Sequence, residues 1–275
     1  MQDAYAHCEA LVRAADKDRF LAALFAPAQS RRHLYALYAF ASEIARVREA
    51  AREVLPGEMR LQWWRDALRG EARGEVSANP VAAALIDTIR ICALPVEPLV
   101  GLIDAHSFDL YDDAMPSLAD LDAYAERTAG TLFGLGARIL AGADGAAAAA
   151  PAGIAYGVAQ RLRTFPRDSA RRQLFVPLDL LRQYGVTREE IEARQNTVGL
   201  RAVLAALRDH AAAAFGEFRA AARGAPAAFA PAFLVAHLVP SLLARLDAAA
   251  ADPFKRIEVP LWRRQLTLWW AARRS

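Results

Sequence analysis

Apolar residues in this chain return every three or four positions, and nowhere do they alternate with polar ones for long. In the run after Ser30, the residues Leu34, Leu37, Tyr38, Ala41, Ile44 and Ala45 paint one face of a helix. Ser117 with Asp120 reads as a capping-box variant, and Leu118, Leu121, Ala125, Thr128 and Leu132 continue the helical spacing behind it. Leu200 to Arg223 and Phe233 to Ala250 are further long helical candidates, whereas only Gln173 to Val176 looks briefly extended. That period predicts an all-α fold. At about 12 residues per helix plus turns, it predicts roughly ten helices.

Punctuation falls at Pro56-Gly57, Asn79-Pro80, Pro95 to Pro98, Met115-Pro116, Gly142 to Pro151, Pro177 and Asp252-Pro253. None is a long polar linker, and no period of 20 to 50 residues repeats, which argues against a solenoid. One compact domain over residues 1–275 is the economical reading, and a length of 275 residues lies near the upper end of what one core supports. The tract Ala146 to Ala150 reads as a loop or a helix end. Pro226 to Ala244 carries no charge, but Pro226, Pro231, Pro240 and His237 interrupt it, so a buried core segment is expected rather than a membrane span.

Composition narrows the function classes. The chain is 55% hydrophobic and 24% charged, which argues against disorder. Its net charge is only +3 and its basic residues are spread throughout, so no nucleic-acid partner is expected. Lys17 and Lys255 are the only lysines, which makes thirty-two of the thirty-four basic residues arginine. Cys8 and Cys92 show no metal-binding spacing and suit a reducing compartment. Met1 to Phe20 includes Asp3, Glu9, Asp16 and Asp18, and reads neither as a secretory signal nor as an acid-poor transit peptide.

Four stretches exceed what a generic bundle needs: Arg31 to Glu49 with its Tyr38-Ala39-Phe40, Leu61 to Leu68 with Trp63-Trp64, Tyr124 to Thr131, and Gly157 to Pro177 with Arg167-Asp168. With Asp109-Leu110 ahead of the third and Asp252-Pro253-Phe254 to Trp262-Arg263 at the end, their order and spacing resemble the squalene and phytoene synthase family over nearly the whole chain. That resemblance implies an isoprenoid-synthase helical bundle around a central cavity. Family enzymes join two prenyl diphosphates head to head, and two aspartate-rich motifs on facing helices hold Mg²⁺ against the leaving diphosphate. Carboxylates four residues apart share a helix face, and hard oxygen ligands suit that ion.

The pattern is broken where the metal should sit. Counting from Phe40 puts the three aspartates of the first motif at Ala45, Arg46 and Glu49, and Arg48 adds another positive charge. The second motif retains Arg167-Asp168 but lacks the acidic pair before Pro177, and its usual asparagine is Thr164. Each lost carboxylate–cation contact is worth on the order of 4 kcal/mol at 4 Å and an effective dielectric of about 20. The expectation is therefore no confident catalytic residue, no metal site and no cofactor. The alternative is an active Mg²⁺-dependent prenyl diphosphate transferase using Glu49, Asp109 and Asp168.

The run Ala39-Phe40-Ala41-Ser42-Glu43-Ile44-Ala45-Arg46-Val47-Arg48-Glu49, with Leu61-Gln62-Trp63-Trp64, is similar to the synthase-like assembly factors of respiratory complex I. That subgroup implies subunits or assembly intermediates of complex I as partners, and a cytoplasmic location peripheral to the inner face of the membrane. An isoprenoid- or lipid-binding module is a third reading.

Individual residues divide between structural and functional roles. Trp63 and Trp64 read chiefly as core packing, with a prenyl channel as the alternative. Gly130, Gly134 and Gly136 read as close helix approach, and His237 as a core histidine. Asp109, Asp112 and Asp113 form the densest acidic patch, with Asp109 alone at a family position near the cavity; Asp168 is either structural or functional. Tyr124 and Arg127 are placed at the cavity, and Arg46, Arg48, Arg52, Arg167, Arg171 and Arg172 either face solvent or bind an anion there directly. On a C-terminal helix, Trp262, Leu266, Trp269 and Trp270 fall on one side, which suits a membrane surface or membrane partner, or else packing on the bundle itself.

Overall fold

In the computed structural model, which describes residues 1–51, 53–142 and 145–274, every predicted break but Pro56-Gly57 holds a helix start, a helix end or a turn. The first helices are α1 (Gln2–Ala15), α2 (Lys17–Ala23), α3 (Ala28–Ala45), α4 (Val47–Ala50) and α5 (Val54–Arg69). They are followed by α6 (Pro80–Cys92), α7 (Glu97–Ser107), α8 (Leu118–Ala125) and α9 (Thr131–Ala141), the last two joined by a π-helical turn over Glu126–Gly130. The remainder is α10 (Ala146–Ala170), α11 (Leu178–Gln183), α12 (Arg188–Glu192), α13 (Val198–Ala222), α14 (Ala230–Phe233), α15 (Val239–Ala248) and α16 (Leu261–Arg274). The count exceeds ten because several of these helices are only one or two turns long.

Caps explain many of the boundaries. The Asn79 side chain accepts from the N–H groups of Val81 and Ala82 while Pro80 fills the first helical position, so the Asn-Pro pair opens α6. Ser117, Thr187 and Thr197 cap α8, α12 and α13 in the same manner. Gly70 and Gly142 close α5 and α9 in the left-handed conformation that only glycine adopts freely.

One expectation about breaks is corrected. Pro56-Gly57 lies inside the first turn of α5, where proline's missing N–H has no helical acceptor to lose. The Gly142–Pro151 stretch does hold a break, with Gly142 closing α9 and Gly145 preceding α10, and the alanine tract is a helix end: it opens α10, which continues through Pro151. Among the described residues there is no strand, and Gln173–Val176 is held extended by a single bridge between Ala114 and Leu174.

The α3 helix is not one-faced. Every residue from His33 to Ala41 is buried, so α3 is the central helix of the bundle, packed against α1, α6 and α9, and Ala45 at its end is exposed. Three apolar clusters surround it. The first joins α1, α3, α5, α6 and α7; the second joins α10 with α14 to α16; the third joins α10 and α13 with residues 174–191. Helix α9 contributes to the first two and α10 to the last two, which ties the clusters together.

Ala227–Ala248 is long and apolar enough to cross a membrane by length and composition, with a mean hydropathy of 1.8. It is broken into α14, a 3₁₀ stretch over Leu234–Leu238 and α15, and Phe229, Phe233, Leu234, Val235, Val239 and Leu242 all enter the core.

Small residues set how closely α10 approaches the π-turn. A Cβ on Gly153 would lie 2.6 Å from the backbone of Gly130, and one on Gly157 would lie 2.7 Å from Ala125. Trp64 is buried edge-on against Phe40 with Trp63 packed beside it, so this pair is core.

Candidate functional site

The backbone geometry leaves a cavity of about 640 Å³ between α2, the α3–α4 junction, the end of α7, the π-turn and α10. One wall comes from α3 and α4. Ala45, Arg46 and Glu49 all border the cavity, at the positions counted for the first aspartate motif. Glu49 receives Arg171 at 3.0 Å, with Arg167 and Arg46 each at 3.8 Å. Arg48 straps this wall to the opposite one: its guanidinium donates to the carbonyls of Asp109 and Tyr111 at 2.8 and 3.0 Å and to Asp112 Oδ1 at 2.6 Å.

The other wall is a buried polar network. Asp109 Oδ2 shares a 2.7 Å hydrogen bond with His106 Nδ1, and the Tyr124 hydroxyl donates to both carboxylate oxygens at 3.0 and 3.1 Å. Burial opposes the charge on Asp109, but His106, Arg161 and the Tyr124 hydroxyl outweigh it and hold the carboxyl below its ordinary value. Burial likewise pushes the Tyr124 phenol well above its ordinary value, so it stays protonated and donates.

Arg161 completes this network. It donates to the Tyr124 hydroxyl at 3.2 Å, lies 4.1 Å over the Phe175 ring and comes within 3.8 Å of Asp168. Asp168 itself sits behind the lining. It is buried, accepts from the Thr164 hydroxyl and pairs with Arg167 at 3.0 Å. At the remaining edge, Asp16 caps α2 and pairs with Arg19 at 2.8 Å. The Arg19 guanidinium lies over Tyr38 and Tyr156, whose phenols burial pushes up to about 12.

Seven arginines and three carboxylates line the cavity. A Mg²⁺ ion of this kind of chemistry needs carboxylate oxygens free to converge on it. Here Asp16, Glu49 and Asp109 are each engaged by a guanidinium or by an imidazole and a phenol. Among the described residues no three Asp, Glu, His or Cys side chains form a metal-binding group. The paired carboxylates present do not fit the ion, and guanidinium groups outnumber carboxylates in the lining.

Several expected residues lie elsewhere. The family resemblance places Arg127 at the cavity, but it is exposed and borders a separate cleft with Phe108, Met115 and Arg188. The cavity-facing row is Tyr124, Thr128 and Leu132, and Arg127 is one residue out of that row. Arg172 is exposed at φ +58° outside the cavity, Asp112 and Asp113 are exposed, and Arg52 lies outside the described residues. His237 packs edge-on against Phe215 and Phe218 in the core. Cys8 is buried and Cys92 half-buried, both as free thiols.

Arg161, His106 and Arg19 are site residues that no motif in the sequence marks. Arg161 precedes Asp168 by seven residues and His106 precedes Asp109 by three, so helical spacing alone places each pair on one face.

A family model for squalene/phytoene synthases matches residues 12–270. The mouse protein described as NADH dehydrogenase (ubiquinone) complex I, assembly factor 6 is 32% identical over 250 residues, spanning 90% of this chain and 75% of the mouse one. A phytoene synthase of Thermus thermophilus is 28% identical over 265 residues, 94% of this chain and 89% of its own. A crystal structure of the squalene synthase HpnC from Alicyclobacillus acidocaldarius superposes with a TM-score of 0.76 at 29% identity, over 92% of this chain and 96% of that one. A dehydrosqualene synthase crystallised with a ligand superposes at 0.80 with 18% identity, over 99% and 96% of the two chains, and speaks for the fold alone.

Proposed function

The chain belongs to the squalene/phytoene synthase family, and from that premise we propose that it uses the synthase scaffold without the Mg²⁺-dependent reaction, to assist assembly of membrane-bound respiratory complex I. The observation that carries the reading is the state of the cavity carboxylates. Glu49, at the place of the first motif, is surrounded by Arg46, Arg167 and Arg171, and Asp168 of the second is paired with Arg167. A site neutralised in this way lacks the charge that would grip a metal-bound diphosphate, and ionising the substrate without that grip costs many orders of magnitude in rate. The relatives described as complex I assembly factor 6 support the role: the mouse protein is 32% identical across nine-tenths of this chain.

In this reading the partners are complex I subunits or assembly intermediates, and the protein works at the inner face of the membrane from the cytoplasmic side. The cavity holds an anionic group directly through Arg46, Arg161, Arg167 and Arg171, with the Tyr124 hydroxyl positioning Arg161. An isoprenoid or other lipid carrying a phosphate fits that chemistry.

Purified protein incubated with farnesyl or geranylgeranyl diphosphate and Mg²⁺ is expected to release no pyrophosphate at enzyme rates. A strain deleted for the gene is expected to lose complex I activity. Steady turnover would restore the transferase reading with Glu49, Asp109 and Asp168, and a deletion strain with normal complex I would end the assembly reading. Pyrophosphate binding that persists in EDTA is the expected result for the cavity.

A further inference from the structure

Helix α16 is apolar on two sides. Its inward side is used by the bundle: Leu268 is 1% exposed, Ala271 and Ala272 pack beside it, and Arg264 pairs with Asp18 of α2 at 2.7 Å. At about 100° per residue, Trp262, Leu266, Trp269 and Trp270 fall about 100–160° round the helix from Leu268. They are 60%, 48%, 37% and 49% exposed. Three tryptophans and a leucine left in water on one short helix are far more than scattered surface apolarity provides.

The charges around this stripe identify its occupant. The helix has four arginines and no acidic residue. Arg264 is used inward, while Arg263, Arg273 and Arg274 make no ion pair among the described residues. Their guanidinium groups lie over the rings of Trp262, Trp269 and Trp270 at 5.1, 4.0 and 5.5 Å. Tryptophan favours the boundary between acyl chains and headgroups, and arginine beside it meets the phosphates there.

We propose that the outward face of α16 docks on an anionic lipid bilayer, with Trp262, Leu266, Trp269 and Trp270 in the interface and Arg263, Arg273 and Arg274 against lipid phosphates. The inward face keeps the helix fixed to the bundle, so docking needs no unfolding. This surface gives a physical basis to the membrane placement in the proposed function. Because its test uses vesicles alone, its failure is separable from failure of the assembly role.

The full chain is floated with vesicles of phosphatidylcholine, with and without phosphatidylglycerol. Binding is expected on the anionic vesicles, with a blue shift of tryptophan emission and release in high salt. The variant carrying Trp269→Ala and Trp270→Ala keeps helix-forming residues at exposed positions, and is expected to bind at least tenfold more weakly with an unchanged circular dichroism spectrum. Arg273→Gln is expected to weaken binding roughly fivefold, the share of one arginine near an anionic surface. Failure of the intact chain to float would overturn the proposal, as would equal binding to neutral vesicles or unaltered binding by the folded double variant. A concentration-dependent dimer that the same double variant abolishes would assign the face to a second protein instead.

Discussion

On the α3–α4 wall, Glu49 stands at the rim of the cavity, more than a third exposed, with three arginines reaching it from two helices. On the facing wall, Asp109 and Asp168 are buried, each with hydrogen-bonding partners supplied mainly by its own helix or the adjoining turn and by α8 and α10. Both walls neutralise their carboxylates, yet the energetic consequences differ. A solvent-screened pair contributes little, whereas a buried acid stripped of its partners, or partners stripped of their acid, is costly. The rim can therefore change charge at little cost to stability, while the buried wall is part of the fold.

The contrast is most exposed to refutation at Asp109. Asp109→Ala is expected to lower unfolding free energy by about 3–5 kcal/mol, since His106 and Tyr124 would be left without their shared acceptor and the buried Arg161 without a nearby negative charge. Denaturant titration measures it, and a loss below about 1 kcal/mol would make this wall equivalent to the rim. Next in size is Gly153→Ala, whose Cβ would meet the backbone of Gly130 at 2.6 Å and push α10 off the π-turn. Overpacking of this kind costs about 1–3 kcal/mol, visible as a lowered melting temperature.

The pH dependence of stability sharpens the same comparison. The Asp109 carboxyl is held below its ordinary value in the folded chain, so its contribution is complete above the unfolded value of about 3.9 and is lost as pH falls through the lower folded value. Asp109→Asn is expected to flatten that acid limb of the stability curve, a smaller effect than the alanine variant produces at neutral pH. Smallest of all, Glu49→Gln is expected to alter stability by less than about 1 kcal/mol while raising pyrophosphate affinity about fivefold, the scale of one exposed ion pair. A large stability loss in that variant would erase the distinction between the walls.

Much of this site was legible in the sequence, for reasons that differ by residue. Tyr124, Asp109, Glu49 and Arg167-Asp168 stand in recognisable runs, and the counting from Phe40 that replaces three aspartates with Ala45, Arg46 and Glu49 lands on the cavity wall. Arg127 shows the limit of such carry-over: one position along a helix is a turn of about 100°, enough to move a side chain into a different cleft. Arg161 and His106 carried a usable signal in their spacing to Asp168 and Asp109. Arg19 carried none, because its place beside Tyr38 and Tyr156 depends on how α2 packs against α3 and α10.

The sequence by itself determined that this chain is helical, where several of its helices begin and end, and that Ala45, Arg46 and Glu49 stand where they do relative to Phe40. Those are local properties, set by period, caps and residue identity within a few turns. Only the tertiary structure decided that seven arginines from α2, the α3–α4 junction, α4 and α10 with its C-terminal end face one cavity, that the middle of α3 is buried on all sides, and that α16 has a second apolar face turned to solvent. Each of these depends on the directions in which distant helices pack, and the direction of a helix face is decided by its neighbours rather than by its own residues.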